Sequence, residues 1–264
     1  MGAGKIGGEK GLSVGKEIQI RSLHDHDEFD LCAEIQDTVW SYEPSARMSQ
    51  KTFLLATHIG GQVLGAFDGD KLVGYAMSLP GVRNGHAYLH SHHLAVLPEW
   101  RNAGVGRRLK LAQRDDALAR GFELIEWTFD PLEIKNAHLN IAKLGAIVRR
   151  YRRDFYGLST SPLHGGLPTD RLVAEWWIKS DRVERTLRGE QPQAQIEAQV
   201  DVPAAISEWK ALPEKRDAAR AVQAANAAAF DAAFARGLAV IGYRRGEQGD
   251  GSFLLGKWDE EFLY

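Results

Sequence analysis

Two neighbouring groups in the chain could do chemistry together. The first is His90-Ser91-His92-His93. Imidazoles titrate near neutrality and so can move protons under ordinary conditions. His90 and His92 are two apart and are predicted to share one face of a strand, with His93 on the other. The second group runs Leu94-Ala95-Val96-Leu97-Pro98-Glu99-Trp100-Arg101-Asn102-Ala103-Gly104-Val105-Gly106. It reads as a strand end, a turn, and Arg-x-x-Gly-x-Gly opening a helix. Backbone N–H groups at a helix N-terminus have no internal partners, and the helix dipole adds positive character. Gly104 and Gly106 remove side chains that would keep an anion at a distance. The chemistry expected of this loop is diphosphate binding. Further candidates are Glu126, a carboxylate interrupting an apolar strand, and Asp130 at that strand's end, where α/β sites open. Asp130 can equally be turn chemistry before Pro131, and a core-strand histidine can be a hydrogen-bonded filler. A histidine metal site lacks a third ligand at useful spacing, so no metal is expected.

The elements that must position these groups follow from periodicity. Val105, Leu109, Ala112 and Ala119 recur at helical spacing, widened by Leu111 and Leu118. Arg107, Arg108, Lys110, Arg114, Asp115 and Asp116 fall on the predicted wet side. Gly121 ends the helix, and residues 122–129 read as a strand, completing a βαβ unit. Upstream, the pattern predicts a strand over 17–23 and helices over 27–40 and 45–57. A hairpin of 62–67 with 71–78 turns at Asp68-Gly69-Asp70, and Pro80-Gly81 is expected to turn the chain into a strand over 87–96. Downstream come a helix over 134–144 stopped by Gly145, a polar linker over 191–199, an Ala-rich helix over 213–236, and a final hairpin of 238–243 with 252–258.

Composition sets the frame. The 264 residues carry a net charge of −2, with 44% hydrophobic and 26% charged residues. This balance gives no global pull toward nucleic acid or an anionic membrane. Cys32 is the one cysteine, so neither an intrachain disulfide nor a cysteine metal cluster can form. No apolar run approaches 18 residues, and the expected compartment is the cytoplasm. The opening Met1-Gly-Ala-Gly-Lys-Ile lacks the Ser or Thr of a Walker loop, and residues 1–16 are expected to be disordered or an expression leader.

The segment around Val96, Arg101, Gly104 and Gly106 resembles motif A of the Gcn5-related N-acetyltransferase (GNAT) superfamily. That motif has a hydrophobic residue, four positions, Arg or Gln, then x-x-Gly-x-Gly or Ala. A Rossmann loop would need a third glycine that is absent here. The order βααβββ then αβ is also that of the family. The resemblance implies an α/β GNAT fold: a mixed central sheet flanked by helices, here with a C-terminal helix-hairpin extension. The reading divides the chain into the N-terminus at 1–16, a GNAT acyltransferase domain over 17–185, and an extension over 190–264. The extension is expected to pack on the main domain as an acceptor-site wall or a homodimer contact. Trp127 to Pro131, Asn136-Ala137, Lys143-Leu144-Gly145, Tyr156-Gly157 and Asp170-Arg171-Leu172 together resemble a subgroup of predicted bacterial acetyltransferases.

By this resemblance the protein is an acyltransferase. It takes acetyl-CoA or another acyl-CoA as co-substrate and passes the acyl group to a small-molecule amine. The backbone of Leu94, Ala95 and Val96 would hold the pantetheine arm. Arg101, Asn102, Ala103, Gly104, Val105, Gly106 and Arg107 would hold the pyrophosphate, and Asn136 and Lys143 match the second family motif. His90 and His92 resemble a histidine pair of the arylalkylamine N-acetyltransferases that passes the amine proton through water. The position where many members place a general-acid tyrosine is Ile141, which leaves Tyr151 and Tyr156 as candidates beside a plain role as strand aromatics. Trp40, Trp127, Asp130 and Arg171 are candidates for acceptor binding, with core packing or surface pairing as the alternative. Two other classes stay open: a coenzyme A-binding regulator without catalysis, and a nucleic-acid module using Arg149-Arg150-Tyr151-Arg152-Arg153.

Overall fold

The computed structural model describes residues 18–41, 47–157, 164–190 and 194–258; the expected N-terminal segment 1–16 lies outside them. The chain runs β1 (Gln19–Ser22), α1 (His26–Trp40), α2 (Gln50–His58), β2 (Gln62–Asp68), β3 (Lys71–Arg83), β4 (His86–Val96) and α3 (Val105–Ala119). It continues through β5 (Leu124–Phe129), α4 (Ile134–Ala137), a π-helical turn over His138–Lys143, β6 (Ile147–Arg152), β7 (Arg171–Trp177) and α5 (Asp181–Leu187). The last part is β8 (Ala198–Val202), α6 (Ile206–Ala211), α7 (Arg216–Ala235), β9 (Leu238–Arg245) and β10 (Gly251–Lys257). All ten strands join one sheet in the order β1-β2-β3-β4-β5-β7-β6-β9-β10-β8.

The α1/α2 face of this sheet buries Phe29, Phe53, Tyr75 and Met77. On the α3 face, Val105 and Leu109 pack on Ala66 and Val73, while Ile125, Trp127 and Trp176 belong to the larger core. The β4–β5 pair is parallel and holds only Leu89 with Ile125 and His90 with Glu126 in register. Beyond that, β4 stays with β3 and β5 stays with β7, so the two strands part as a fork.

Three local expectations change. Strand β3 runs through Pro80 and Gly81, which pair with Leu89 and Tyr88, and the turn falls at Asn84-Gly85. Both turn residues have positive φ, 50° and 83°, the conformation that an Asn-Gly hairpin turn uses. The 191–199 stretch is not all linker, because Ala198–Val202 forms edge strand β8 against β10. The extension therefore contributes three strands rather than a hairpin, and Val148 on β6 meets Val240 on β9 to make the sheet continuous.

Helix α7 packs on these added strands. Phe230 is fully buried against the rings of Tyr151, Phe234 and Phe253. Lys210 of α6 reaches back to Asp130 at 2.9 Å and Glu133 at 2.8 Å. Phe230→Ala should destabilise the protein by about 3–5 kcal/mol, the usual cost of emptying a buried phenylalanine site. Chemical denaturation measures this, and a near-wild-type midpoint would show that the seam holds little of the stability.

Candidate active site

The fork and the glycine loop meet at the C-terminal end of β4. Because β5 pairing stops at His90, the β5-facing backbone edge of Leu94, Ala95 and Val96 faces no strand. Past β4 the chain reaches Asn102 at φ 64° and Gly104 at φ 79°, both left-handed. A Cβ built on Gly104 would meet nothing within 4 Å, so the loop is open above it. The first α3 bond runs from Arg108 N–H to the Gly104 carbonyl, leaving the preceding amides without helical partners. Side chains of Asp25 and Ser180 cap α1 and α5, whereas no side chain caps α3. Arg101 is exposed, and its Nε donates to the Val96 carbonyl at 3.2 Å. The loop fits a pyrophosphate through backbone groups, with Arg101 bracing the strand end.

The three histidines gather on the α1/α2 side. Register slips between Met77 and Ser78, which face His93 and Ser91, so His92 is the extra residue of a β-bulge. The bulge breaks the two-residue alternation. His93 therefore does not oppose His92 as expected; the two rings stack at 4.6 Å and 13°. His90 lies 6.1 Å from His92. Nδ1 of His93 is 2.9 Å from the Tyr75 hydroxyl, and its ring lies 4.7 Å from Trp40. Burial pushes His90 down to about 4, reinforced by His92 and opposed by Glu126, and pushes His93 down to about 3. Burial also lowers His92. All three rings are neutral bases at neutral pH.

Glu126 sits on the same face, opposite His90, and is not a free base. Arg83 Nη2 donates to both its oxygens, at 3.0 and 2.9 Å, and Arg150 also bonds it. Arg149 and Arg150 reach Glu175 as well, since a second bulge between Val148 and Arg150 turns both arginines the same way. Three guanidiniums thus face two carboxylates, and one positive charge is left over beside the histidines. The basic run is largely absorbed within the chain, because Arg153 pairs with Asp231 too.

Several expected site residues are placed elsewhere. The Tyr151 hydroxyl donates to Asp170 at 2.6 Å beneath Phe230, and burial with that carboxylate raises its pKa, so it holds its proton and is no general acid. Asp130 is tied to Lys210 and to the Leu132 N–H at 2.8 Å, which makes it turn and clamp rather than acceptor contact. Trp127 is buried on the α3 face against Trp176, away from the histidines. Arg171 is committed to the Asp170 carbonyl and His164. Ile141 is core, while Asn136 on α4 and Lys143 at the end of the π-helical turn are exposed. Tyr156 is better placed, with its hydroxyl 2.8 Å from Thr128 Oγ1 on β5. Sequence reasoning missed Arg83 and Tyr75, which reach the cluster from β3 and carry no local motif. It also put Lys110 in water, yet Lys110 is 2% exposed.

Residues 25–145 match the sequence profile of the Acetyltransferase (GNAT) family. Two solved structures share the fold. One is the ribosomal-protein-S18-alanine N-acetyltransferase from Escherichia coli: 19% identity, TM-score 0.50, covering 62% of this chain and 96% of that one. The other is yncA from Salmonella typhimurium with its cofactor acetyl-CoA: 16% identity, TM-score 0.50, covering 62% and 95%. No curated protein matches the sequence. No helix among the described residues is long and apolar enough to cross a membrane.

Gly104→Asp would put a carboxylate at the open loop. Coenzyme A affinity measured by calorimetry should fall at least tenfold, roughly 1.4 kcal/mol, with the fold retained; unchanged affinity would place the phosphate site elsewhere. The histidines also tie stability to pH. Unfolded imidazoles titrate near 6.5, so the unfolded chain binds protons that the fold refuses. That stabilising contribution is complete above pH 6.5 and is lost as pH falls toward about 4 for His90 and about 3 for His93. The melting temperature should drop on acidification through this window, and His93→Gln should flatten the slope.

Proposed function

We propose that the protein is an acyl-CoA-dependent N-acyltransferase that moves an acetyl, succinyl or other acyl group to the amine of a small molecule, an amino acid or related amine. The observation that carries this reading is the fork. One strand edge is open along β4, an uncapped helix N-terminus lies at one end, and three neutral imidazoles line the wall near the other. A bound acyl-CoA would supply the thioester. Backbone N–H groups from Asn102 to Arg107 would hold its pyrophosphate, the β4 edge at Leu94 to Val96 would orient the arm, and Asn136 and Lys143 would flank it.

Transfer is direct. The acceptor amine loses a proton to His92 or His90 through water, and an imidazole that burial keeps neutral is ready to accept it. Trp40, its ring tilted against His93 at 4.7 Å, walls the acceptor side. The surplus positive charge of the Arg83–Glu126–Arg150–Glu175–Arg149 cluster favours an acceptor that carries a carboxylate, which is why an amino acid fits best. Thiol release from a panel of acyl-CoAs with pooled amino acids and amines tests the reading. Binding of coenzyme A without thiol release would instead support a regulator, a reading favoured by the buried Ile141 at the usual tyrosine position.

His92→Gln should leave coenzyme A binding intact and cut turnover by about 10²-fold or more, the range of a general base. The loss should shrink as pH rises, because more of the acceptor is then already deprotonated. Full activity of the variant at pH 7 would move the base role to His90, and a pH-independent loss would point to acceptor positioning.

A further inference from the structure

Lys110 is the least expected side chain in the molecule. It lies on α3 and is 2% exposed, yet no carboxylate partners it among the described residues. A buried lysine without a counter-ion is costly to keep, so its position asks for a use. Its Nζ donates to Ser91 Oγ at 3.0 Å and sits 3.6 Å from the centroid of the Trp127 ring, with Trp176 at 5.6 Å. Ser91 directly follows His90 on β4, and Trp127 directly follows Glu126 on β5. These are the first residues past the last paired positions of the two strands. Lys110 therefore reaches into the crotch of the fork from the α3 face, while the histidines stand on the opposite face.

The surroundings are rich in hydrogen-bond donors. Ser91 Oγ donates to Gln113 Oε1 at 3.0 Å, and Gln113 Nε2 is buried with no partner. Lys110 brings three N–H groups, Gln113 two and Ser91 one. The acceptors are one hydroxyl and one amide oxygen. A donor surplus of this kind suits a group that develops negative charge. Ile141 cannot protonate anything, and Tyr151 is bound to Asp170, so the departing sulfur lacks a proton source from either.

We propose that Lys110 is the proton donor to the leaving thiolate, acting from the α3 face of the fork while the histidines take the amine proton on the other face. The proposal rests on the acyltransferase reading. The acceptor nitrogen bonds the thioester carbon, and as the C–S bond breaks, the sulfur leaves with the electron pair. It takes a proton from Lys110 Nζ, which becomes a neutral amine and is reprotonated from solvent after coenzyme A departs. Counted from the ammonium form, the nitrogen sheds two protons through the histidines: one passes to solvent before attack, and the other balances the proton given to sulfur. Burial pushes Lys110 well below the usual ammonium value, which makes it a stronger acid than an exposed lysine. The groups that face it are Gln113 on its own helix, Ser91 on β4, Trp127 on β5 and Trp176 on β7. Across the sheet, its charge also helps hold down the pKa of His90, beside the Arg83-bound Glu126.

Two measurements test this on the full chain. In turnover, Lys110→Met should lower kcat by about 10²-fold, with the KM for acyl-CoA and the calorimetric Kd for coenzyme A changed less than about threefold. The wild type should lose rate at alkaline pH, and the variant should lack that limb. Ser91→Ala keeps the amine but removes its hydrogen-bond acceptor, so it should keep the alkaline limb at a shifted pH, and it serves if Lys110→Met fails to fold. In binding, the thiolate absorbance of bound coenzyme A should appear at lower pH in the wild type than in Lys110→Met. Unchanged kcat and pH profile in Lys110→Met overturn the proposal. If no amine is a substrate, the acyltransferase reading fails by itself; identical thiolate titrations in wild type and variant would then overturn the Lys110 assignment separately.

Discussion

Two residue pairs, Leu89 with Ile125 and His90 with Glu126, are all that join β4 to β5. The rest of the site depends on how soon that pairing stops. A parallel pair carried further would have used up the β4 edge in ordinary ladder bonds. Stopping it leaves an extended strand edge inside a covered sheet, a surface that an extended ligand can complete. The closed end is held by side chains: Arg83 from β3 and Arg150 from β6 both grip Glu126 on β5. The carboxylate that interrupts an apolar strand thus fastens the root of the fork.

The fork has two electrostatically different faces. On one, burial keeps three imidazoles neutral, and a cluster of three arginines and two glutamates leaves one positive charge beside them. On the other, a lysine, an amide and a hydroxyl present more donors than acceptors. A base side and a donor side separated by a strand opening are what an acyl transfer needs, because the incoming nitrogen sheds a proton and the outgoing sulfur gains one.

The C-terminal strands explain why some plausible groups are not free. Adding β9 to β6 brings α7 over the sheet, so Tyr151 is sealed beneath Phe230. Lys210 of α6 engages Asp130 where β5 ends. Each contact turns a residue with chemical potential into a brace for the strand that carries it. The 190–264 region thereby steadies the exit of β5, one arm of the fork.

The loop from Val96 to Gly106 and the helix after it were legible in the sequence, because glycine spacing and a 3.6-residue period are local properties. So were α1, α7, the β2–β3 hairpin and the last hairpin. The Asn84-Gly85 turn was present in the residues but was overshadowed by Pro80-Gly81, which a strand can carry when its neighbours pair around it. The bulge at His92 was not legible, since a one-residue slip leaves no mark on composition and yet brings His93 onto the face that His90 and His92 share. Lys110 was misread for a related reason: its periodic position looked wet, but the fork beneath α3 supplied Ser91 and Trp127 to receive it. Sequence alone determined α1, α3 and α7, the glycine loop, and the β2–β3 and β9–β10 hairpins. Tertiary structure decided which side chains meet, because ion pairs such as Arg83 with Glu126 and Lys210 with Asp130 join residues 43 and 80 positions apart, and only the packed sheet brings them within reach.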